Sequence, residues 1–179
     1  MNFLEHFRSK TLKYDLANKF LYKTTKKIPK IKKIILNFGC KTSEVKKLAS
    51  SLLALELITS KKGKLTTTTK PNIILKIRKG NPVGCKVTLQ NKQMFMFLER
   101  IVTNILPNMK NFNGIILNKT LNPKAFSYEL HDPFNFYELE EHYYLFNILP
   151  KLNITIVTTS TNKKELVFIF KSIQFPIKN

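Results

Sequence analysis

The feature that most restricts the fold is a short segment in which apolar and polar residues alternate. Its apolar members are Val83, Cys85, Val87 and Leu89, and its polar or small members are Gly84, Lys86, Thr88 and Gln90. Side chains alternate between the two faces of a β-strand, so this segment has one face for a protein core and one for solvent or a ligand. Such strands are typical of antiparallel sheets. The polar row Lys86, Thr88 and Gln90 can hydrogen-bond phosphate, sugar or base edges.

Apolar spacing along the rest of the chain predicts further strands and the helices that cover them. The predicted strands are Ile31 to Phe38, Lys64 to Thr69, Ala125 to Leu130 and Ile154 to Thr159. The predicted helices are residues 3–22, Ser43 to Thr59, Lys92 to Leu106, and a last helix that begins at Asn162 with Glu165 three residues later. No regular strand–helix–strand repeat is present, which favours an α+β fold with a mostly antiparallel sheet. Helices would pack on one face and leave the other open.

The charge of the chain predicts a polyanionic partner. Lys and Arg number 31 against 11 Asp and Glu, giving a formal net charge of +20 over 179 residues. Such a field attracts nucleic acid or an anionic membrane surface, and charge alone does not distinguish them. No apolar run approaches the roughly 20 residues that a membrane-spanning helix needs. The length and the 43% hydrophobic content fit one compact domain, predicted to comprise residues 1–179.

Acidic residues gather in one short stretch. Glu129, Asp132, Glu138, Glu140 and Glu141 lie beside His131 and His142 and among the aromatic residues Phe134, Phe136, Tyr137, Tyr143 and Tyr144. One interpretation is a protein-binding surface with aromatic anchors. Another is a metal-dependent enzyme that uses His131, Asp132, Glu138 and His142, although no HExxH spacing, paired cysteines or glycine-rich phosphate loop accompanies them. Neither a catalytic residue, a metal nor a cofactor is predicted, and Cys40 and Cys85 are interpreted as small buried residues.

Two segments resemble the bacterial-type large-subunit ribosomal protein five family. Residues 28–39, IPKIKKIILNFG, resemble its first-strand signature, and residues 77–89, IRKGNPVGCKVTL, resemble its core motif. Supporting pieces follow in order, so the resemblance covers nearly the whole chain. It implies a topology like that of the RNA recognition motif, with the open sheet face bound to 5S rRNA. It also implies contact of a basic loop with P-site transfer RNA, and a bridge to a small-subunit protein.

The resemblance also assigns roles to individual positions. The rRNA-binding residues it implies are Asn37, Gly39, Thr66, Lys86, Thr88 and Gln90. The implied tRNA-contacting residues, in an exposed basic loop at 70–80, are Lys70, Lys76, Arg78 and Lys79. The implied protein-bridge surface contains Asn111, Phe112, Phe134 and Tyr137. At Pro71 to Leu75 the chain departs from the small, glycine-containing sequence of the family, and at 121–125 and 131–133 it departs again, which puts the tRNA contact and the bridge in question.

Coding bias and the N-terminus suggest where the protein works. The basic residues are almost all Lys, and Asn, Ile and Phe are abundant, which is typical of a gene in an A/T-rich organelle genome. The first 20 residues carry Glu5 and Asp15 and fit neither a secretory signal nor an import presequence. A mitochondrial, organelle-encoded protein of the large ribosomal subunit is predicted, with 5S rRNA, large-subunit rRNA, tRNA and neighbouring ribosomal proteins as partners. A free RNA chaperone of similar fold is the main alternative.

Overall fold

The computed structural model describes residues 3–40, 44–110, 112, 114–116 and 122–178. The strands are β1 Ile31–Gly39, β2 Lys64–Thr67, β3 Pro82–Leu89, β4 Ile115–Ile116, β5 Ala125–Leu130, β6 Leu152–Thr158 and β7 Ile177–Lys178. Five of them form one sheet in the order β2–β3–β1–β6–β5, and β4 pairs in parallel with β7. The predicted bounds of β5 match the structure, and those of β1, β2, β3 and β6 differ by at most two residues at either end.

The five-stranded sheet is antiparallel. β2 and β3 run in opposite directions, with Lys64 opposite Lys86. Three backbone hydrogen bonds each join the end of one strand to the start of its neighbour: Cys40 N to Val83 O at 2.9 Å, Thr159 N to Lys30 O at 2.9 Å, and Thr158 N to Lys124 O at 2.8 Å. This pattern is possible only when neighbouring strands run in opposite directions. The α+β prediction is therefore confirmed.

Helices occupy the segments between the strands. They are α1 Phe3–Phe7, α2 Lys13–Phe20, α3 Val45–Thr59, α4 Asn91–Arg100, α5 Leu106–Asn108, α6 Tyr137–Glu140, α7 Tyr143–Phe146 and α8 Lys163–Ser172. π-helical turns at Arg8–Leu12 and Ile101–Ile105 join α1 to α2 and α4 to α5, and short 3-10 turns lie at Thr25–Lys27 and Pro133–Asn135. Among the described residues, no helix combines the length and apolar character needed to cross a bilayer.

The chain divides into two compact units. The first comprises Met1–Ile34, Leu89–Ser127 and Thr155–Asn179, and the second comprises Ile35–Thr88 and Tyr128–Ile154. In the first unit α8 packs on β5, where the Phe126 and Phe170 rings are 5.0 Å apart, and the Phe20 ring of α2 meets the Phe168 ring of α8 edge-on at 5.9 Å. The single domain expected from chain length stays a prediction.

In the second unit α3 covers the apolar side of β1 and β3. Cys85 Sγ on β3 lies 3.5 Å from the backbone oxygen of Leu48, and Cys40 Sγ, just after β1, lies 3.3 Å from Ser51 Oγ. Both sulfur atoms are buried under the helix. The helix therefore occupies one face of these strands, and the polar residues of the same strands point the other way.

Candidate nucleic-acid interface

The polar face of β1, β2 and β3 in the second unit forms what we call the open face, built from Asn37, Gly39, Lys64, Thr66, Gly84, Lys86 and Thr88. On β3, Cys85 and Val87 are buried, whereas Lys86 between them is exposed and Thr88 is half-buried. Strand β1 repeats this alternation, with a half-buried Asn37 and an exposed Gly39 between buried apolar residues. The predicted division of these strands into an apolar and a polar face is confirmed.

Two opposed lysines dominate the electrostatics of the open face. The register of β2 with β3 sets Lys64 directly across from Lys86, and both side chains are exposed. Like charges at opposed positions of an antiparallel pair destabilise the sheet. In the part of the chain that the structure describes, neither ammonium group forms an ion pair with a carboxylate. The pair is thus a place where an external anion would reduce the repulsion.

A third lysine adds to the positive charge at this edge of the sheet. Lys61 Nζ donates a hydrogen bond of 2.8 Å to the backbone oxygen of Thr88. Sequence patterning located Lys86 but did not single out Lys61 or Lys64 for the sheet, because only the β2–β3 register brings them to it. The signal available in the sequence was the weak alternation of Lys64, Leu65 and Thr66.

The end of the open face toward β2 is flat because two glycines lie there. A Cβ atom added to Gly84 would lie 2.5 Å from the backbone oxygen of Phe38 and 2.9 Å from Thr66 Oγ1, so the strands approach closely only because Gly84 has no side chain. At Gly39 an added Cβ would meet nothing within 4 Å. Packing therefore requires glycine at 84 but not at 39, where the lack of a side chain instead leaves the backbone accessible.

The remaining predicted rRNA-binding residues fall at different places. Since β1 and β3 are antiparallel and Gly39 lies beside Gly84, the next outward-facing pair along them is Asn37 with Lys86. Thr66 lies opposite Gly84. Gln90 follows the last residue of β3 and is the N-cap residue of α4, in the first unit. Five of the six predicted residues are thus together in the second unit.

The predicted basic loop is an ordered hairpin, which we call the basic hairpin, residues 68–81. Thr68 N donates to the backbone oxygen of Asn81 at 3.0 Å, and Asn72 and Ile77 exchange two backbone hydrogen bonds of 2.9 Å. Lys76 adopts a left-handed φ of 52° in the turn between these rungs. The four predicted cations Lys70, Lys76, Arg78 and Lys79 are all exposed. The hairpin therefore presents its positive charges on a defined backbone.

The tip of the basic hairpin is apolar. Ile73 and Ile74 are each 92% exposed, and Leu75 is 47% exposed, whereas Ile77 is buried at the base. The two isoleucines are the most exposed large apolar side chains among the residues that the structure describes. This tip is the segment that departs from the family pattern, and the hydrogen bonds between Asn72 and Ile77 hold its two ends together.

The predicted bridge residues do not form one surface that the structure describes. Asn111 lies outside the described residues, and Phe112, which is half-buried, belongs to the first unit. In the second unit the ring of Phe134 is 4.8 Å from that of Tyr143, and Tyr137 is 68% exposed. A hydrogen bond to Glu141 raises the pKa of Tyr137 above its ordinary value. Exposed tyrosines among carboxylates are therefore present at this site.

The acidic stretch and the cysteines offer little for catalysis. Within the described residues, no three His, Cys, Asp or Glu side chains are grouped so that they could hold a metal ion, which includes His131, Asp132, Glu138 and His142. Cys40 and Cys85 are buried, as expected, but they interact. A hydrogen bond from Cys85, with help from Ser51 and Lys47 and against the effect of burial, lowers the pKa of Cys40 to about 6, while the same hydrogen bond and burial raise the pKa of Cys85.

Comparisons with known proteins give one consistent family. Residues 82–177 match the C-terminus of the ribosomal protein uL5 family. The chain is 36% identical to the large ribosomal subunit protein uL5m of Reclinomonas americana over 99% of this chain and 98% of that protein. It is 35% identical to uL5 of Nitrosomonas europaea over 98% of both chains, and 36% identical to uL5c of Oedogonium cardiacum, again over 98% of both.

These relatives cover nearly the whole length of the chain, and the open face contains residues of both family motifs, at 28–39 and at 77–89. The family consists of structural, non-enzymatic proteins, which confirms the prediction that the chain is not an enzyme. The relatives include a mitochondrion-type, a bacterial and a chloroplast-type member, so all three settings use this sequence pattern. The chain belongs to the ribosomal protein uL5 family and is a protein of the large ribosomal subunit.

Proposed function

We propose that this protein binds ribosomal RNA, and 5S rRNA in particular, through the open face of its sheet, as a structural constituent of the central protuberance. The observation that carries the proposal is the opposed pair Lys64 and Lys86, which has no carboxylate partner in the described part of the chain. Phosphate between or above the two ammonium groups would turn a repulsive arrangement into an attractive one. Phosphate contacts of this kind position RNA rather than read its sequence.

The neighbouring residues of the open face suit the same ligand. Asn37 and Thr66 offer an amide and a hydroxyl, which can hydrogen-bond ribose hydroxyls or base edges. Gly39 leaves its backbone accessible, so an RNA strand can approach the sheet closely there. The net charge of +20 would draw RNA to the protein before these contacts form.

The experiment that tests the proposal is equilibrium binding of the purified chain to the 5S-type RNA of its own organelle, with excess transfer RNA as competitor and with salt varied. The test variant combines Lys86→Glu with Thr88→Ala, and Lys164→Glu on α8 makes the same charge change at an exposed lysine away from the sheet. We expect the test variant to lose at least roughly tenfold in affinity, since it replaces a charge-assisted hydrogen bond with repulsion. The control should lose much less.

Equal losses in the two variants would mean that the affinity reflects net charge alone, and the assignment of the open face would then be wrong. If the chain binds fragments of the large rRNA but not the 5S-type RNA, the sheet assignment stands and 5S rRNA is the wrong ligand. Complete displacement by transfer RNA at every salt concentration would favour the free RNA chaperone.

We further propose that the basic hairpin contacts P-site transfer RNA and that the Phe134 and Tyr137 region meets a small-subunit protein. Four exposed cations on an ordered hairpin support the first contact, and exposed tyrosines among carboxylates, facing a basic protein, support the second. Replacing Lys70 and Lys79 with Ala should lower affinity for tRNA and leave 5S-type RNA binding within about twofold, because a lysine strengthens binding only of the RNA whose phosphate it contacts. Equal weakening for both RNAs would contradict a separate tRNA contact.

We propose that the protein acts in the mitochondrial large subunit. The similarity to uL5m and the A/T-rich coding bias support this, although bacterial and chloroplast-type relatives are about equally similar. Fractionation of organelles and sedimentation of the protein with large subunits would test it. Recovery in another A/T-rich compartment would reassign it.

A further inference from the structure

A cavity in the first unit lies among basic residues that the open face and the basic hairpin do not use. Its volume is about 260 Å³, and it lies between the N-terminal helical segment and the chain that leads into β1. The residues that line it are Arg8, Ser9, Leu12, Lys13, Leu16, Thr25, Ile28, Pro29 and Lys30. Three of these nine are cationic and none is acidic, so its field favours an anion.

The cationic side of the cavity is held in place by its surroundings. The guanidinium of Arg8 lies 4.9 Å from the centre of the Phe95 ring, a cation–π contact that restricts its position. Lys30 is fixed at its backbone, whose N–H donates to Thr159 Oγ1 at 3.0 Å and whose oxygen accepts from Thr159 N at 2.9 Å. Among the described residues none of Arg8, Lys13 and Lys30 has a carboxylate partner.

The helix itself is distorted at the cavity. Arg8–Leu12 forms a π-helical turn between α1 and α2, and Arg8, Ser9 and Leu12 of this turn line the wall together with Lys13, which follows it. A π-turn within an α-helix is rare and is found frequently at functional sites, since it moves the side chains out of regular helical register. Here the turn ends at Leu12, so that Arg8 and Lys13 lie on either side of a buried leucine.

The floor of the cavity is apolar. Leu12 and Leu16 are 3% and 0% exposed, and Pro29 is also buried. Ser9 and Thr25, which carry hydroxyl groups, are exposed at the rim. Cations beside hydroxyls and an aliphatic surface match a ligand with a phosphate, a sugar and a flat apolar ring. The volume is slightly below the roughly 300 Å³ at which small-molecule pockets begin, which fits one such unit left partly in solvent.

We propose that this cavity, the N-terminal pocket, binds a single nucleotide unit. Its phosphate lies against Arg8, Lys13 and Lys30, and its ribose and base lie against the aliphatic floor. The unit belongs either to a ribosomal RNA strand, in which case this site rests on the proposed function, or to a free nucleotide. Both sources share the same chemistry, a phosphate ester with a heterocyclic base, and the experiment below separates them.

The test measures binding of the full chain to three probes: nucleoside 5′-monophosphates, inorganic phosphate, and a short single-stranded oligoribonucleotide. The matched variants are Lys13→Ala, which removes a pocket cation, and Lys10→Ala, which removes an equal charge from an exposed lysine of the same helical segment outside the lining. A Lys86→Glu variant monitors the open face independently. Thermal unfolding of each variant checks its fold, and Lys30→Ala replaces Lys13→Ala if the latter does not fold.

We expect nucleoside monophosphates or the oligoribonucleotide to bind roughly tenfold more weakly to the Lys13→Ala variant, as for loss of one charged hydrogen bond, and to the Lys10→Ala variant within about twofold of the parent. Weakening confined to the oligoribonucleotide assigns the pocket to an RNA strand, and weakening for the monophosphates as well shows that a free nucleotide suffices. Equal weakening in the two variants, no nucleotide-probe binding at all, or inorganic phosphate bound as tightly as a nucleotide would overturn the proposal. Unchanged monophosphate binding to Lys86→Glu, with weakened 5S-type RNA binding, keeps the two sites distinguishable.

Discussion

Among individual residues, the two opposed lysines of the open face reduce the stability of the free protein. Lys64 and Lys86 are opposed across β2 and β3, where a neutral pair would hold the strands together better. Residues at binding sites often carry such local conflicts, and the gain is realised only when the ligand is present. The conflict therefore makes a prediction about stability that differs in sign from the prediction about binding.

We expect Lys86→Gln to stabilise the free protein by a few tenths of a kcal/mol, up to about 1 kcal/mol at low salt, because it removes like-charge repulsion across the pair. The same change should weaken RNA binding. Denaturant unfolding at low and high salt measures the first effect, and the gain should shrink as salt screens the charges. A destabilised variant would show that Lys86 makes a favourable contact within the free protein.

The two glycines of the open face separate packing from binding. Gly84→Ala should destabilise the fold by roughly 1–3 kcal/mol, since its methyl group would collide with the Phe38 backbone oxygen. Gly39→Ala should fold with unchanged stability, because its methyl group meets nothing, yet it should weaken RNA binding by obstructing close approach. Unfolding and RNA-binding measurements on both variants check this. Full RNA affinity in the Gly39→Ala variant would contradict a role for the flat backbone there.

Among the secondary-structure elements, α8 begins as the sequence predicts. Asn162 and Glu165 form a capping box, in which Glu165 Oε2 accepts from the backbone N–H of Thr161 at 2.9 Å and of Asn162 at 3.3 Å. Glu165 is only 4% exposed. Burial alone would raise its pKa, but the backbone N–H groups of Thr161 and Asn162, among other donors, outweigh burial, and the pKa of Glu165 is lowered from its ordinary 4.5.

The direction of this shift fixes a pH dependence. A carboxyl whose pKa is lower in the folded state stabilises the fold above its unfolded pKa, and the contribution disappears as pH falls through the folded value. Glu165→Gln should therefore cost about 1 kcal/mol at neutral pH and make stability less sensitive to pH below 4.5. Denaturant unfolding from about pH 7 to about pH 3 measures both. Parallel pH profiles for the two proteins would contradict the assigned shift.

Helix α3 shows where periodicity fails. Its apolar residues surround the helix, so a stripe through Val45, Leu53 and Leu57 fits the pattern as well as any other. The structure instead buries Leu48, Ser51, Leu55 and Ile58 and leaves Val45 79% exposed. The choice depends on which face can meet Cys40 and Cys85, and a one-dimensional pattern does not contain that information.

For the molecule as a whole, the net charge of +20 makes salt dependence informative. Each phosphate neutralised contributes about −0.7 to −0.9 to the slope of log K against log salt. We expect the Lys86→Gln variant to have a slope smaller by about one such unit with the 5S-type RNA, whereas Lys164→Gln should keep the parent slope. Titrations over a series of salt concentrations measure this. An identical slope in the parent and the Lys86→Gln variant would place the phosphate elsewhere.

Signals local to the sequence were enough to predict the family, the α+β class and nearly all strand bounds. Alternation at Val83 to Gln90 and the motifs at 28–39 and 77–89 are local, and strand periodicity and the Asn162–Glu165 cap are read from neighbours in the chain. Those predictions hold because the forces behind them act between residues close in sequence. Lys86 and Thr88 were found for the same reason.

Which distant residues meet was settled by tertiary packing alone. The register of β2 with β3 set Lys64 against Lys86, strand pairing brought Gly39 beside Gly84, and the fold joined Arg8 and Lys13 to Lys30 around one cavity. It also turned the basic loop into a hairpin with isoleucines at its tip. Pairing and packing depend on contacts between segments far apart in the chain, so periodicity within a segment does not specify them.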